Sequence, residues 1–463
     1  MKKHIVSGLM VLAVLFSSCD NELSLTPQQS IDQELALNTD ANVKSVLLGA
    51  YSEIRNVNLY GGRLHLYSEM LGANREVRWE GTFNQPREMF NKTIFVNNSF
   101  VEGTWAAAYR AINVSNNVLS ALNIVNEEDR PRVEGEALFI RGSMYFELIK
   151  LYALPYAAGN TGTNPGVPLV LEPTRAIVET SFVSRNTVEE VYQQILTDLR
   201  RAESILPPVN GFLARSYVAS AQLSRVYLQM ERYAEARDAA NRAIEVALAN
   251  GKSLIGTAYM DAFNNDADTN EDLFTIQVNP QDADNDMFLF YSLPEFGARG
   301  GDVAILQAHL NLYESGDERL TQFFTAAGEL RTAKWRDQFK NVKVFRLSEM
   351  YLTRAETNFR EGTAVGSTPI GDLNRIRRRV KLPEFNPLST PTLPTLADIL
   401  KERKLELAHE GQAIHDIKRT KGSVLDNISI TVFAFDDPRL VFPIPQREID
   451  ANPNLVQNPG YGG

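Results

Sequence analysis

A single cysteine, Cys19, stands in 463 residues. That scarcity excludes a fold stapled by disulfides, and any zinc site built on cysteine ligands. Histidine is scarce too, at five. His409 and His415 are six positions apart, not the four that zinc-protease spacing needs. Positive charge is short: 47 Lys and Arg against 57 Asp and Glu give a formal net charge of −10. An acidic body argues against nucleic acid or anionic lipid held by charge. No stretch after the first 18 residues is long and apolar enough to cross a membrane, which takes roughly 20 residues.

What is present begins at the N-terminus. Lys2 and Lys3 precede an apolar run, Ile5 to Phe16, and the small pair Ser17-Ser18. Charged head, apolar middle and small-residue exit are the parts of a secretory signal. The expectation is a signal peptide over residues 1–18, cut before Cys19. Cys19 would then carry the lipid chains and become the first residue of a tethered protein. Loss of Lys2 and Lys3 takes the formal charge from −10 to −12. Residues 19–38 are polar and contain Pro27, which reads as a lipidated tether.

The body, residues 39–463, is patterned for helices. Val43, Val46, Leu47, Ala50 and Ile54 share one stripe, and so do Val133, Ala137, Ile140, Met144, Leu148 and Leu151. Thr187-Val188-Glu189-Glu190 is a capping box, with a helix running from it to Pro207. Residues 215–249 read as one helix–turn–helix of the tetratricopeptide kind, on Leu223, Ser224, Tyr227, Ala236 and Ala243. Pairs of similar length fall near 104–153 and 344–380. The fold predicted is mainly α, a scaffold of stacked helical hairpins with an irregular, loop-rich half. The irregular segments are placed at about 58–103 and 255–301. Within the second, Leu273 to Val278 looks like a short strand.

No catalytic constellation stands out among the 57 carboxylates. Two loops, Asp266–Asn270 and Asp282–Asp286, begin like calcium loops. Glu271 and Met287 stand where glycine is required, and Gln277 and Leu293 where the closing Glu belongs. Both read as solvated acidic loops. Arg375, Arg377, Arg378 and Arg379 lie near a helix bearing Glu402, Glu406 and Glu410. Forked guanidinium groups satisfy carboxylates well, so this reads as a structural ion-pair network.

The C-terminal third carries an ordered set of segments. Phe345-Arg346-Leu347-Ser348-Glu349 is followed by Arg354-Ala355-Glu356, Leu373-Asn374-Arg375, Glu410-Gly411 and Asp416-Ile417-Lys418-Arg419. Phe442-Pro443-Ile444-Pro445, Asn452-Pro453 and Asn458-Pro459-Gly460-Tyr461 close the chain. Together with Phe139-Ile140-Arg141, Tyr145-Phe146 and Gly166-Val167-Pro168-Leu169 upstream, they resemble the SusD/RagB family of nutrient-binding outer-membrane lipoproteins. The resemblance implies four tetratricopeptide-like helix pairs and an irregular ligand-binding half. It implies a surface lipoprotein that captures an oligosaccharide or peptide and delivers it to a SusC-like, TonB-dependent barrel. It implies no bond chemistry and no cofactor.

A site for such ligands needs flat rings beside amide and guanidinium groups. The first irregular segment offers Asn74, Arg75 and Trp79, and the second offers Asn279, Phe288 and Tyr291. These six are the expected ligand surface. Trp79 and Phe288 could equally pin the loops to the helices. A scaffold that binds only protein and a surface hydrolase are the alternative functions.

Overall fold

A computed structural model describes residues 37–461 apart from 177, 282–284 and 387–393. The leader, Cys19 and the tether up to residue 36 lie outside the described residues. So do the first three residues of the second acidic loop and most of the proline-rich stretch before Pro394.

The chain enters through α1 (Asp40–Arg55), capped by Thr39, whose hydroxyl accepts from the Asn42 amide at 3.2 Å. It then leaves the stack for α2 (Arg63–Leu71), β1 (Val77–Trp79) and α3 (Asn84–Asn91), and returns in α4 (Ser99–Ser120). Helices α5 (Arg130–Tyr152), α6 (Val188–Ile205), α7 (Ser216–Gln229) and α8 (Tyr233–Ala249) follow. A second excursion holds β2 (Asp272–Ile276), α9 (Asp286–Tyr291), β3 (Val303–Ile305) and α10 (Gln307–Leu310). It continues through β4 (Phe323–Ala326), β5 (Glu329–Thr332) and β6 (Val342–Arg346). Helices α11 (Leu347–Glu361) and α12 (Pro369–Arg379) rejoin the stack. The remainder carries α13 (Leu396–Glu406), α14 (Ala413–Arg419), β7 (Ser423–Leu425), β8 (Val432–Ala434) and α15 (Gln446–Ala451).

Helices α1, α4, α5, α6, α7, α8, α11 and α12 pack each on the next, which makes four pairs. Helix takes 51% of the described residues and strand 8%, so the class is mainly α. The expected capping box at Thr187 is formed in both directions. Its hydroxyl accepts from Glu190 N at 3.2 Å, and the Glu190 carboxylate accepts from Thr187 N at 2.8 Å. Leu223, Ser224, Ala236 and Ala243 are fully buried between α7 and α8, as small-residue packing requires.

Both irregular segments differ from expectation. The first contains two helices, α2 and α3; α2 is hidden in the sequence because it is buried on nearly every side and so shows no amphipathic period. The second runs on to Arg346 rather than stopping near 301. Its strands are three to five residues long, too short for alternation to be visible. They form an antiparallel sheet in the order β1-β3-β5-β4, with Val77 opposite Ile305, and a separate β2–β6 pair. Strand β2 falls where the run Leu273 to Val278 placed it.

The arginine run divides. Arg377 and Arg379 are buried in a network of ion pairs, whereas Arg375 and Arg378 are half or more exposed. At its centre Arg346 meets Glu271 at 2.5 Å, Glu410 at 2.7 Å and Glu406 at 2.9 Å. Arg379 adds bonds to Glu271 (2.7 Å) and Glu406, and Lys334 to Glu410 (2.7 Å). This array staples β2, β6, α12 and α13 together. Of the two acidic loops, Asp266 is exposed, but Asp286 is buried and paired with Arg63 at 2.6 Å. Asp286 is therefore a correction to the solvated reading: it heads α9, where a negative charge is favoured.

The terminal motif has a structural task. The last carbonyls of a helix lack partners within it. Phe442 N donates to Leu151 O, and Asn458 Nδ2 donates to Tyr152 O, both at 2.8 Å. The Phe442 ring then packs edge-on against Tyr67 and Tyr152.

Candidate functional site

The end of α2, the start of β1, α10, α13 and α14 surround a cavity of about 190 Å³. Two glycines let these elements meet. A Cβ on Gly72 would lie 2.7 Å from Ile414 N, and one on Gly411 would lie 2.7 Å from His65 Cα. Gly411 also has φ of +77°, which side-chain-bearing residues rarely adopt. This gives the Glu410-Gly411 segment a physical reason: Glu410 faces the ion-pair array while Gly411 brings its own amide onto α2.

Ala73, Val77, Leu400, Leu407 and Ile417 give the cavity apolar walls. The polar groups are few. Glu69 accepts from Gly411 N at 2.9 Å and lies 3.9 Å from His409 Nδ1. Burial pushes its carboxyl up to about 7, against the pull of the Gly411 amide and Lys334. His409 is 2% exposed and neither ring nitrogen has a hydrogen-bond partner among the described residues. Burial, and then the nearby His309 and Lys334, hold it well below the usual histidine range, so it is neutral at pH 7. Glu76 is bonded to His309 Nδ1 at 2.9 Å and to Lys404. Burial raises Glu76, but those two partners outweigh it and keep the carboxyl below its ordinary value. Asp416 is held by Arg403 (2.9 Å) and Arg419 (2.6 Å). Among the described residues no three His, Cys, Asp or Glu lie where they could hold a metal ion.

The six expected ligand residues are scattered around this cavity. Asn74 and Arg75 sit beside its wall, in the turn between Ala73 and Glu76, and both grip the β7–β8 hairpin. Leu425 N donates to Asn74 Oδ1 at 2.9 Å, and Arg75 Nε donates to Asp426 O at 2.9 Å. Tyr291 packs behind the pocket, its ring 5.7 Å from His409, and is 1% exposed. Trp79 is 7% exposed against Phe290, and Phe288 is 6% exposed on α9. These three rings are buried as loop anchors and present no open face. Asn279 is half-buried in a turn, accepting from Gln281 N at 2.9 Å, and it is not on the cavity wall. Glu69, His309, Lys404 and His409 escaped the sequence reading. One signal was there: Glu69 is the one carboxyl-bearing residue in the run Leu66-Tyr67-Ser68-Glu69-Met70-Leu71.

Removing the Arg75 side chain frees the hairpin without touching the core. Arg75→Ala is expected to speed amide exchange across residues 425–432 by about tenfold, the equivalent of about 1.4 kcal/mol, close to one or two solvent-exposed hydrogen bonds. Global unfolding should hardly move. Unchanged exchange in the hairpin would contradict the gripping role.

A helical-repeat stack that carries a pocket between its helices is an architecture suited to binding. A family model described as "Starch-binding associating with outer membrane" matches residues 23–228, and one described as "SusD family" matches residues 319–461. SusD-like protein P2 of Formosa agariphila is 25% identical, over the full length of both chains. The starch-binding protein SusD of Bacteroides thetaiotaomicron is 29% identical over 26% of this chain and 22% of its own. A crystal structure of a putative sugar binding protein from Bacteroides vulgatus superposes with a TM-score of 0.80. It is 27% identical and covers 92% of this chain and 100% of its own. The chain belongs to the SusD/RagB family, whose members are carbohydrate-binding proteins associated with the outer membrane.

Proposed function

We propose that this protein captures an oligosaccharide at the cell surface and hands it to a SusC-like, TonB-dependent transporter. Cys19 would be its lipid anchor. The observation that carries the reading is the pocket itself: apolar walls with a few uncommitted polar groups, held on the scaffold of a carbohydrate-binding family. Sugar rings have apolar faces edged by hydroxyls, and a wall of that mixed character suits them. Asn74 and Arg75 are proposed to act as the rim. Binding of about −4 to −8 kcal/mol, millimolar to micromolar, suits a shuttle that must release its cargo.

The test is a panel of oligosaccharides and peptides, scored by the rise in melting temperature that ligands of the folded state produce. A rise with a glycan supports capture. A rise with peptides alone moves the ligand to peptide, and glycan turnover would return the hydrolase reading. In cells, Cys19→Ala is expected to leave the protein unanchored and growth on the glycan impaired. Normal membrane retention of that variant would remove the anchor from the account.

A further inference from the structure

Three properties of the cavity narrow what enters it. The first is size. A cavity of about 150 Å³ takes one benzene ring. At about 190 Å³ this one has room for a single six-membered ring with small substituents.

The second is the sign of its charge. Glu69, Glu76 and Asp416 line it, and Lys404 is its only lysine or arginine. Lys404 is already bonded to Glu76. An incoming carboxylate or sulfate would find no unpaired cation to receive it, because Lys404 is held by Glu76 and the arginines behind Asp416 are held by Asp416, while the Glu69 carboxyl would oppose it.

The third is unspent hydrogen-bonding capacity. His409, almost wholly buried, leaves both ring nitrogens unbonded, and the Glu69 carboxyl beside it has no cation in bonding contact among the described residues. Tyr291, directly behind, has a hydroxyl with no hydrogen-bond partner among the described residues. Buried polar groups are rarely left this way unless something completes them. A neutral imidazole offers one donor and one acceptor, and a carboxylate offers acceptors. Adjacent sugar hydroxyls, which both donate and accept, match that set.

We propose that the cavity is a subsite for one uncharged pyranose at the end of the captured chain. In it the ring rests on the Leu400, Leu407 and Ile417 wall, its hydroxyls turn toward Glu69 and His409, and uronic or sulfated termini are refused. This rests on the oligosaccharide reading above, and it fixes the class of terminus which that reading leaves open.

Calorimetry and saturation-transfer NMR on the mature chain test it. The probes are the methyl glycosides of glucose, galactose and mannose, methyl glucuronide, and neutral hexasaccharides of glucose, xylose and mannose. Two variants accompany the wild type: Ala413→Leu, which fills the cavity from α14, and Glu69→Gln, which keeps its shape and removes a charge. At least one neutral glycoside or hexasaccharide should bind, with methyl glucuronide at least tenfold weaker than its neutral counterpart. Both variants should lose affinity tenfold or more while their circular dichroism is unchanged. If a hexasaccharide binds wild type and both variants alike, the subsite is overturned and the capture function stands. Equal binding of glucuronide also overturns it. If no saccharide binds the wild type at all, the oligosaccharide reading fails and the subsite falls with it.

Discussion

Arg346→Met is expected to be among the most damaging single changes in the molecule. Arg346 is 2% exposed and stands among Glu271, Glu406 and Glu410, each of which it bonds. The local array holds three cations, Arg346, Arg379 and Lys334, against those three carboxylates. Taking one cation away leaves an uncompensated buried charge. Breaking a buried pair from one side costs about 3–5 kcal/mol, because desolvation has been suffered and the attraction is gone. The intact array is a different matter: burial opposes its charges as strongly as pairing favours them, so it contributes specificity of packing more than net stability. Arg346→Lys restores the charge but not the fork, and should recover only part of the loss. The double variant Arg346→Met, Glu406→Leu removes one charge of each sign and should be less damaged than Arg346→Met alone. Urea unfolding followed by circular dichroism separates these. A single variant as stable as wild type would mean the array is hydrated and its charges are independent.

That array also shows what a sequence makes legible. The pairing of an arginine-rich helix with an acidic one followed from spacing, because Glu402 and Glu406 are one turn apart and guanidinium forks seek carboxylates. Which arginines pair did not follow. Arg377 and Arg379 turn inward while Arg375 and Arg378 turn out, and the dominant cation, Arg346, comes from a strand nearly thirty residues upstream. Helices α1 and α6 were readable because each has a buried stripe and begins at a side-chain cap, Thr39 or Thr187. Helix α2 was missed for the opposite reason: eight of its nine residues are buried, so no polar face marks the period.

Expecting Asn, Arg and aromatic residues at a glycan surface led to a turn, residues 74 and 75, that lies next to the cavity wall and bonds the β7–β8 hairpin. It led also to rings that the fold spends on packing. An aromatic side chain in a loop serves equally as stacking platform and as anchor, and only burial separates the two uses. The polar groups of the cavity come from three distant stretches of chain, 69–76, His309 and 404–416, and no spacing rule joins them. The family resemblance supplied the architecture without supplying this pocket.

Glu69 permits a stability measurement that reports on the site directly. Its carboxyl titrates near 7 in the folded protein against an ordinary value of 4.5. A raised value means the fold prefers the protonated form. Below about pH 4.5 both folded and unfolded chains carry the proton, and Glu69 costs nothing. Between 4.5 and 7 the unfolded chain ionises freely while the folded one resists, so the cost grows. Above 7 it is complete, at most about 3 kcal/mol for a shift of this size. Glu69→Gln escapes that cost, and its amide oxygen still accepts from Gly411. The variant is therefore expected to match wild type at pH 4.5 and to be more stable at pH 8, by up to about 3 kcal/mol in urea unfolding. A residue retained at the expense of stability is the usual mark of a group kept for binding. The stabilised variant should accordingly be the one with weakened saccharide affinity. Equal or lower stability at pH 8 would show that water or a neighbouring charge already compensates Glu69, and that its burial carries no functional strain.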